Sequence, residues 1–221
     1  MPDGRLVIGQ RRYSSWSLRG WLMVRLAGLD VAEEVIPVSG TGATPAIRAA
    51  SPSGKVPFLE HRGHVIWESL AIAEYCAEIE PSLWPEDSIA RAHARAISAE
   101  IHAGFGALRQ MMPMNLARHS PGFGQNDAVR ADIARIEAIW RETRARFGAG
   151  GPFLFGARFN AADAMYAPVV ARFLSYAPPL SAESRDYAAA VRAFPPVAQW
   201  HEAAAREPHS WRIAKYDAAP A

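Results

Sequence analysis

The apolar positions of this chain change their rhythm near residue 80. Before it, short apolar runs alternate with helical faces. Leu6-Val7-Ile8, ended by Gly9, reads as a short buried strand. From Ser14 or Ser15, either of them a good N-cap, Leu18, Trp21, Leu22, Arg25 and Leu26 recur at helical spacing as far as the stop at about Gly28. Residues 31–38, with Val35, Ile36 and Val38 apolar, predict a second strand, and Pro45 opens a short helix to about Ala50. A strand from Val56 to Glu60 is entered through Pro57. His61-Arg62-Gly63-His64 is a tight reversal, and Val65-Ile66-Trp67 forms the next strand. From Glu68 a helix carries Leu70, Ile72, Ala73, Cys76 and Ile79. The order β-α-β-α-β-β-α is that of a thioredoxin-like sheet with helices on both faces.

Past Pro81-Ser-Leu-Trp-Pro85 the strand signal disappears, so residues 81–89 read as a linker between a domain at 1–80 and an all-helical one at 90–221. A helix is expected from Ile89 to about Ala117, kinked near its end by Pro113. Asp127 to Phe147 is amphipathic. Asn160-Ala-Ala-Asp163 forms a capping box before a nearly all-apolar helix that ends near Tyr176. Ala182–Ala193 and Val197–Arg206 complete the helices, and Trp211, Ile213 and Tyr216 predict that the tail packs back on the body.

Composition narrows the class. With 221 residues and 50% hydrophobic content the chain can bury a proper core. A net charge of +2, with no basic run, argues against a nucleic-acid binder. No apolar run is long enough to span a bilayer, and the start of the chain lacks a signal-peptide core. The one cysteine, Cys76, excludes a disulfide framework and fits a reducing, cytoplasmic setting. The histidines show no metal-ligand spacing, so no metal is expected. Gly40-Thr-Gly42-Ala-Thr-Pro45 places proline where a dinucleotide fingerprint needs glycine, and is discarded.

The stretch Ser51–Glu80 holds the candidate chemistry. A cis bond before Pro57 would present the Val56 backbone as an unpaired edge to a peptide-like ligand. At Glu68-Ser69 a helix N-terminus favours an anion, Ser69 adds a hydroxyl donor, and Glu68 can accept from an ammonium. An extended amide, a carboxylate and an amine together describe glutathione. Upstream, Tyr13, Ser14 and Ser15 offer hydroxyls that can hydrogen-bond a thiolate and lower its pKa.

These motifs resemble those of a cytosolic glutathione transferase. The residues concerned are Gly54-Lys55-Val56-Pro57, Glu68-Ser69-Leu-Ala-Ile72 and Tyr13-Ser14-Ser15-Trp16-Ser17. The serine cluster is similar to the Ser-Ser-Cys-Ser motif of the zeta class, with Trp16 in the cysteine's place. The resemblance covers nearly the whole chain. It implies the glutathione transferase fold, a detoxification-type enzyme with glutathione as co-substrate, and a homodimer. Ser14 is the expected catalytic hydroxyl, with Ser15 and Tyr13 as alternatives. Lys55, Val56, Pro57, Glu68 and Ser69 are the expected glutathione ligands. Trp16, Met111, Met114, Asn115 and Arg118 are expected around a small hydrophobic or acidic electrophile. The reaction is thiolate attack on that electrophile; a glutathione-dependent isomerase or peroxidase, or a non-catalytic binding protein, is the alternative.

Overall fold

The computed structural model describes residues 1–40 and 44–217. Part of the discarded Gly40–Pro45 run, and the last residues of the tail, lie outside the described residues.

The first half folds around a four-stranded sheet: β1 (Gly4–Ile8), β2 (Ala32–Val35), β3 (Phe58–His61) and β4 (His64–Trp67), in the order β2-β1-β3-β4. β1 runs parallel to β2 and antiparallel to β3, with Leu6 opposite Leu59, and β3 runs antiparallel to β4. The β3–β4 reversal places Arg62 and Gly63 at positive φ, as a two-residue hairpin turn requires. β2 is shorter than the apolar pattern suggested, because Pro37 has no N–H to extend the ladder.

Three helices complete this half: α1 (Ser15–Leu26), α2 (Pro45–Ala50) and α3 (Ser69–Ile79). Ser14 caps α1, its Oγ accepting from the Ser17 N–H. Gly20 allows the closest approach in this layer. A Cβ there would lie 2.7 Å from the Pro57 ring, so only glycine lets α1 sit on that proline.

After a single 3-10 turn at Pro81–Leu83 come α4 (Ser88–Ala103), α5 (Gly106–Met111), α6 (Asp127–Phe147) and α7 (Ala161–Tyr176). They are followed by α8 (Ala182–Ala193), α9 (Pro195–Ala205) and α10 (Ala214–Asp217). α6, α7 and α8 match the sequence reading. α7 starts in the expected capping box, in which Asp163 accepts from Asn160 N–H at 3.0 Å, Leu154 N–H at 3.1 Å and Tyr187 O–H at 3.0 Å.

The long helix expected to Ala117 does not form. α4 stops at Ala103; Gly104 is extended and Phe105 takes a left-handed φ of 60°. α5 then ends at Met111, because the residue before Pro113 is forced out of helical geometry. Met111, Met114, Asn115 and Arg118 therefore share no helix face.

One continuous buried cluster runs from Leu6 and Ile8 through Leu22 and Ile72 to Trp140, Met165 and Tyr166. α1 packs on α3 at one side and on α7 at the other, so the two halves meet across α1. The tail packs back as expected. Glu207 accepts from the Arg11 and Arg12 N–H groups, Trp200 Nε1 donates to Arg11 O at 3.1 Å, and Gln10 donates to Trp211 O at 3.3 Å.

Candidate functional site

The loop between β1 and α1 opens onto two cavities of about 390 Å³ each, which share Trp16, Lys55 and Val56. Ser14, Ser15, Met114, Arg109, Arg172 and Tyr216 line the first. Ser53, Pro57, Glu68 and His102 line the second. A larger hollow of about 840 Å³, walled by Trp84, Phe147 and Phe155, has no residue in common with either. The chemistry-bearing side chains, not the volume, mark the site.

The three candidate hydroxyls differ in what they touch. Tyr13 O–H donates to Asp217 Oδ1 at 2.8 Å and accepts from the Ile213 N–H, so it is fixed to the tail. Ser14 O–H donates to Ser17 Oγ at 2.7 Å, and Ser17 in turn accepts from Gly9 N–H at 3.0 Å. Ser15 is buried, and its Oγ accepts from Arg172 at 3.4 Å.

On the glutathione-type side the bond between Val56 and Pro57 is cis. The β3 ladder begins only at Phe58, leaving Val56 outside it. Glu68 precedes α3 with φ at 71°, a conformation that costs a non-glycine residue free energy and is found disproportionately at ligand sites. Ser69 is fully buried, and its Oγ has no hydrogen-bond partner in the protein. A buried hydroxyl in that state costs about 1–3 kcal/mol, which a ligand carboxylate at the start of α3 would recover. The residues present thus fit a γ-glutamyl group.

On the other side Arg109 and Arg172 were not singled out from sequence, whereas Arg19, with Arg11 and Arg12, was read there as a cation bracketing the serine loop that could attract an acidic substrate. Arg109 and Arg172 line the first cavity, and Arg19 lies fully buried behind Trp16. Arg172 donates to Met112 O at 2.9 Å and Pro168 O at 3.0 Å; Arg19 donates to Met165 O at 2.9 Å, with both terminal nitrogens unpartnered. The guanidinium carbons of Arg19 and Arg109 lie 4.6 Å and 4.7 Å from the Trp16 ring. Burial depresses all three groups; repulsion from neighbouring arginines adds to it at Arg19, held well below the usual range, and at Arg172, lowered to about 9, while Asp132 opposes it at Arg109. Arginine holds its proton at neutral pH, so two buried cations, Arg19 and Arg172, and the half-buried Arg109 set a positive field beside the serines. A signal existed: Arg172 is the only basic residue in the apolar stretch that forms α7.

Of the expected electrophile-side residues, Trp16 and Met114 line the cavity. Asn115 turns away, donating to Tyr216 O at 3.0 Å and Asp217 Oδ1 at 2.8 Å, and Arg118 donates to Ser120 and Tyr216. Both anchor the tail. Met111 lies half-buried outside the cavity lining. Cys76 is buried and its thiol is pushed up to about 12, so it is inert.

A thioredoxin-like domain that offers a serine loop and a cis-proline edge, closed by a helical domain, defines the glutathione transferase class. Family models for the glutathione S-transferase N-terminal and C-terminal domains match residues 13–79 and 90–203. The chain belongs to the glutathione S-transferase family, and is an enzyme with glutathione as co-substrate. It is 31% identical over 146 residues to a probable maleylacetoacetate isomerase of Caenorhabditis elegans, spanning 63% of this chain and 67% of the relative. It is 28% identical over 179 residues to the maleylacetoacetate isomerase of Rattus norvegicus, spanning 77% and 79%. Among solved structures, a Burkholderia glutathione transferase homolog with bound glutathione superposes with a TM-score of 0.68 at 20% identity, covering 93% of this chain and all of that one. The glutathione-bound maleylacetoacetate isomerase of Anaeromyxobacter dehalogenans gives 0.64 at 24% identity, covering 95% and 99%.

Proposed function

We propose that this enzyme activates glutathione with Ser14 and adds the thiolate to a small anionic, unsaturated substrate, isomerising its double bond. The observation that carries the reading is the pair of arginines, Arg109 and Arg172, facing the cavity beside the serine loop. Buried guanidiniums recognise carboxylates, so the electrophile is an acid. Relatives named for maleylacetoacetate isomerisation support the same class.

The γ-glutamyl carboxylate takes the start of α3 and the Ser69 hydroxyl, the ammonium takes Glu68, and the cysteinyl amide pairs with Val56 beside Pro57. Lys55 meets the glycyl carboxylate. Ser14 O–H turns from Ser17 Oγ to the sulfur. A charge-assisted bond of about 1.5–3 kcal/mol lowers the thiol pKa by about one to two units. The thiolate adds to one alkene carbon, and the displaced electron pair moves onto the conjugated carbonyl as an enolate. Rotation about the resulting single bond and expulsion of the thiolate restore the alkene in the other geometry, with glutathione regenerated. Arg109 and Arg172 hold the carboxylates and stabilise the enolate charge. Where the substrate carries a leaving group instead, the same thiolate attack gives conjugation.

Residues 1–80 form the glutathione-binding domain, 81–89 the linker and 90–221 the co-substrate domain. Val65 and Trp67 on β4 are exposed apolar side chains, which supports a homodimer with this face covered. The enzyme works in the reduced cytoplasm. Turnover of maleylacetoacetate, followed by loss of the cis alkene at saturating glutathione, tests the reading. Glutathione-dependent turnover is expected. Conversion of neutral electrophiles alone would overturn it.

A further inference from the structure

The second cavity has a wall that the first half of the chain does not supply. Beside Lys55, Val56, Pro57 and Glu68 it includes His102 and Ala103, the last two residues of α4. His102 Nε2 lies 3.8 Å from Glu68 Oε2, with the histidine side chain 24% exposed. Its ring meets Trp16 edge-on, centroids 5.1 Å apart, and its Nδ1 is buried without a partner. Glu68 is the only carboxylate among the described residues that line this cavity. In the reading above it receives the ammonium of glutathione. One carboxylate thus faces two possible cations, an imidazolium from α4 and the ligand's amine.

We propose that His102 is a glutathione-positioning residue that makes glutathione binding sensitive to protons. Neutral, it leaves Glu68 to the ligand; protonated, it engages Glu68 and repels the ammonium. The inference rests on the glutathione site argued above. The charged groups around the ring come from four elements. Glu68, before α3, favours the imidazolium; Arg19 from α1 and Arg109 from α5 oppose it. Lys55, from the turn before β3, lines the same cavity. Burial is the largest influence and, with the two arginines, holds the ring below the ordinary histidine range. His102 is therefore neutral at neutral pH and takes its proton only on the acid side of the ordinary histidine range.

The test is calorimetric titration of the full chain with S-methylglutathione, whose sulfur carries no proton, from about pH 8 to about pH 5. Wild-type affinity should weaken about three- to tenfold toward acid. His102→Gln should bind like wild type at the alkaline end and lose most of that fall. Glu68→Gln should bind weakly throughout, with a flat profile. Thermal unfolding at both pH values confirms that the variants are folded. A flat wild-type profile, or an unchanged fall in His102→Gln, overturns the role of His102 and leaves the glutathione site standing. Failure of the wild type to bind at any pH overturns the site and this inference together.

Discussion

On one side of Trp16 the cavity wall is nearly one run of chain, Ser53 to Glu68, joined by two residues of α4. On the other it is gathered from the serine loop, Val38, Ile47, Arg109, Pro113, Met114, Arg172 and Tyr216. The chemistry divides the same way. The first side offers a backbone edge, a helix start and a hydroxyl, groups that fit one fixed peptide. The second offers guanidiniums from α5 and α7 at its wall, with Arg19 of α1 buried nearby, and their reach depends on how those helices pack. A ligand that never changes can be met by local backbone. A variable partner is met by side chains on a scaffold that can diverge helix by helix.

If the two sides are separable, changes on one should spare the other. The largest effect is expected from Arg172→Met. Its kcat/KM for an anionic substrate should fall about a hundredfold, or about 3 kcal/mol. S-methylglutathione affinity measured by calorimetry should move less than about threefold. Equal losses in both would show that the arginine holds the whole site together and does not select the acid.

Ser14→Ala comes next. The pKa of bound glutathione, read from thiolate absorbance against pH, should rise by about one to two units. The rate near neutral pH should drop about tenfold to a hundredfold. Ser15→Ala and Tyr13→Phe should move the titration less; a larger shift in Ser15→Ala would transfer the role to the hydroxyl that touches Arg172.

Ser69→Ala should weaken glutathione binding by about 1–3 kcal/mol. Because the hydroxyl has no partner in the free protein, denaturant melts should show stability unchanged or raised by up to about 1 kcal/mol. A clear loss of stability would make Ser69 a structural cap.

The smallest effect concerns neither side and serves as a baseline. Burial, aided by Arg192, pushes His201 down from 6.5 to about 4. A folded value below the unfolded one means stability that is present above about 6.5 and lost as pH falls through about 4. Denaturant melts at those two values should differ by about 1–2 kcal/mol on this account, and His201→Gln should remove the difference while leaving both binding affinities intact.

The helices α6, α7 and α8 were legible because each carries its own period and caps, Asn160 with Asp163 above all. The features of the proposed glutathione side were legible for the same reason: the cis bond before Pro57 and the helix start at Ser69 are local, and both lie within one short span. The break after α4 was missed because the apolar pattern continues through Gly104 and Phe105. What ends the helix is a left-handed residue, with Asp132 of α6 accepting from the Leu108 N–H at 2.9 Å to start the next one. That miss carried over to the site. On an unbroken helix Asn115 and Arg118 would have followed Met111; instead they hold Tyr216 and Asp217. Arg109 and Arg172 were hidden because their meeting depends on α5 packing near α7, a tertiary fact with no trace in spacing.

The hold of the tail on the serine loop has a consequence for how the enzyme is made. Ser14 and Ser15 leave the ribosome well before the residues that fix their loop. Those residues are Trp200, Glu207, Ile213 and Asp217, which are made much later. A nascent chain can complete its sheet and its peptide-binding edge early, since domains fold in order of synthesis. The serine loop stays without these anchors until Asp217 has been made. A chain cut before Ile213 would keep its buried core and lose the two bonds that tie Tyr13 to the tail.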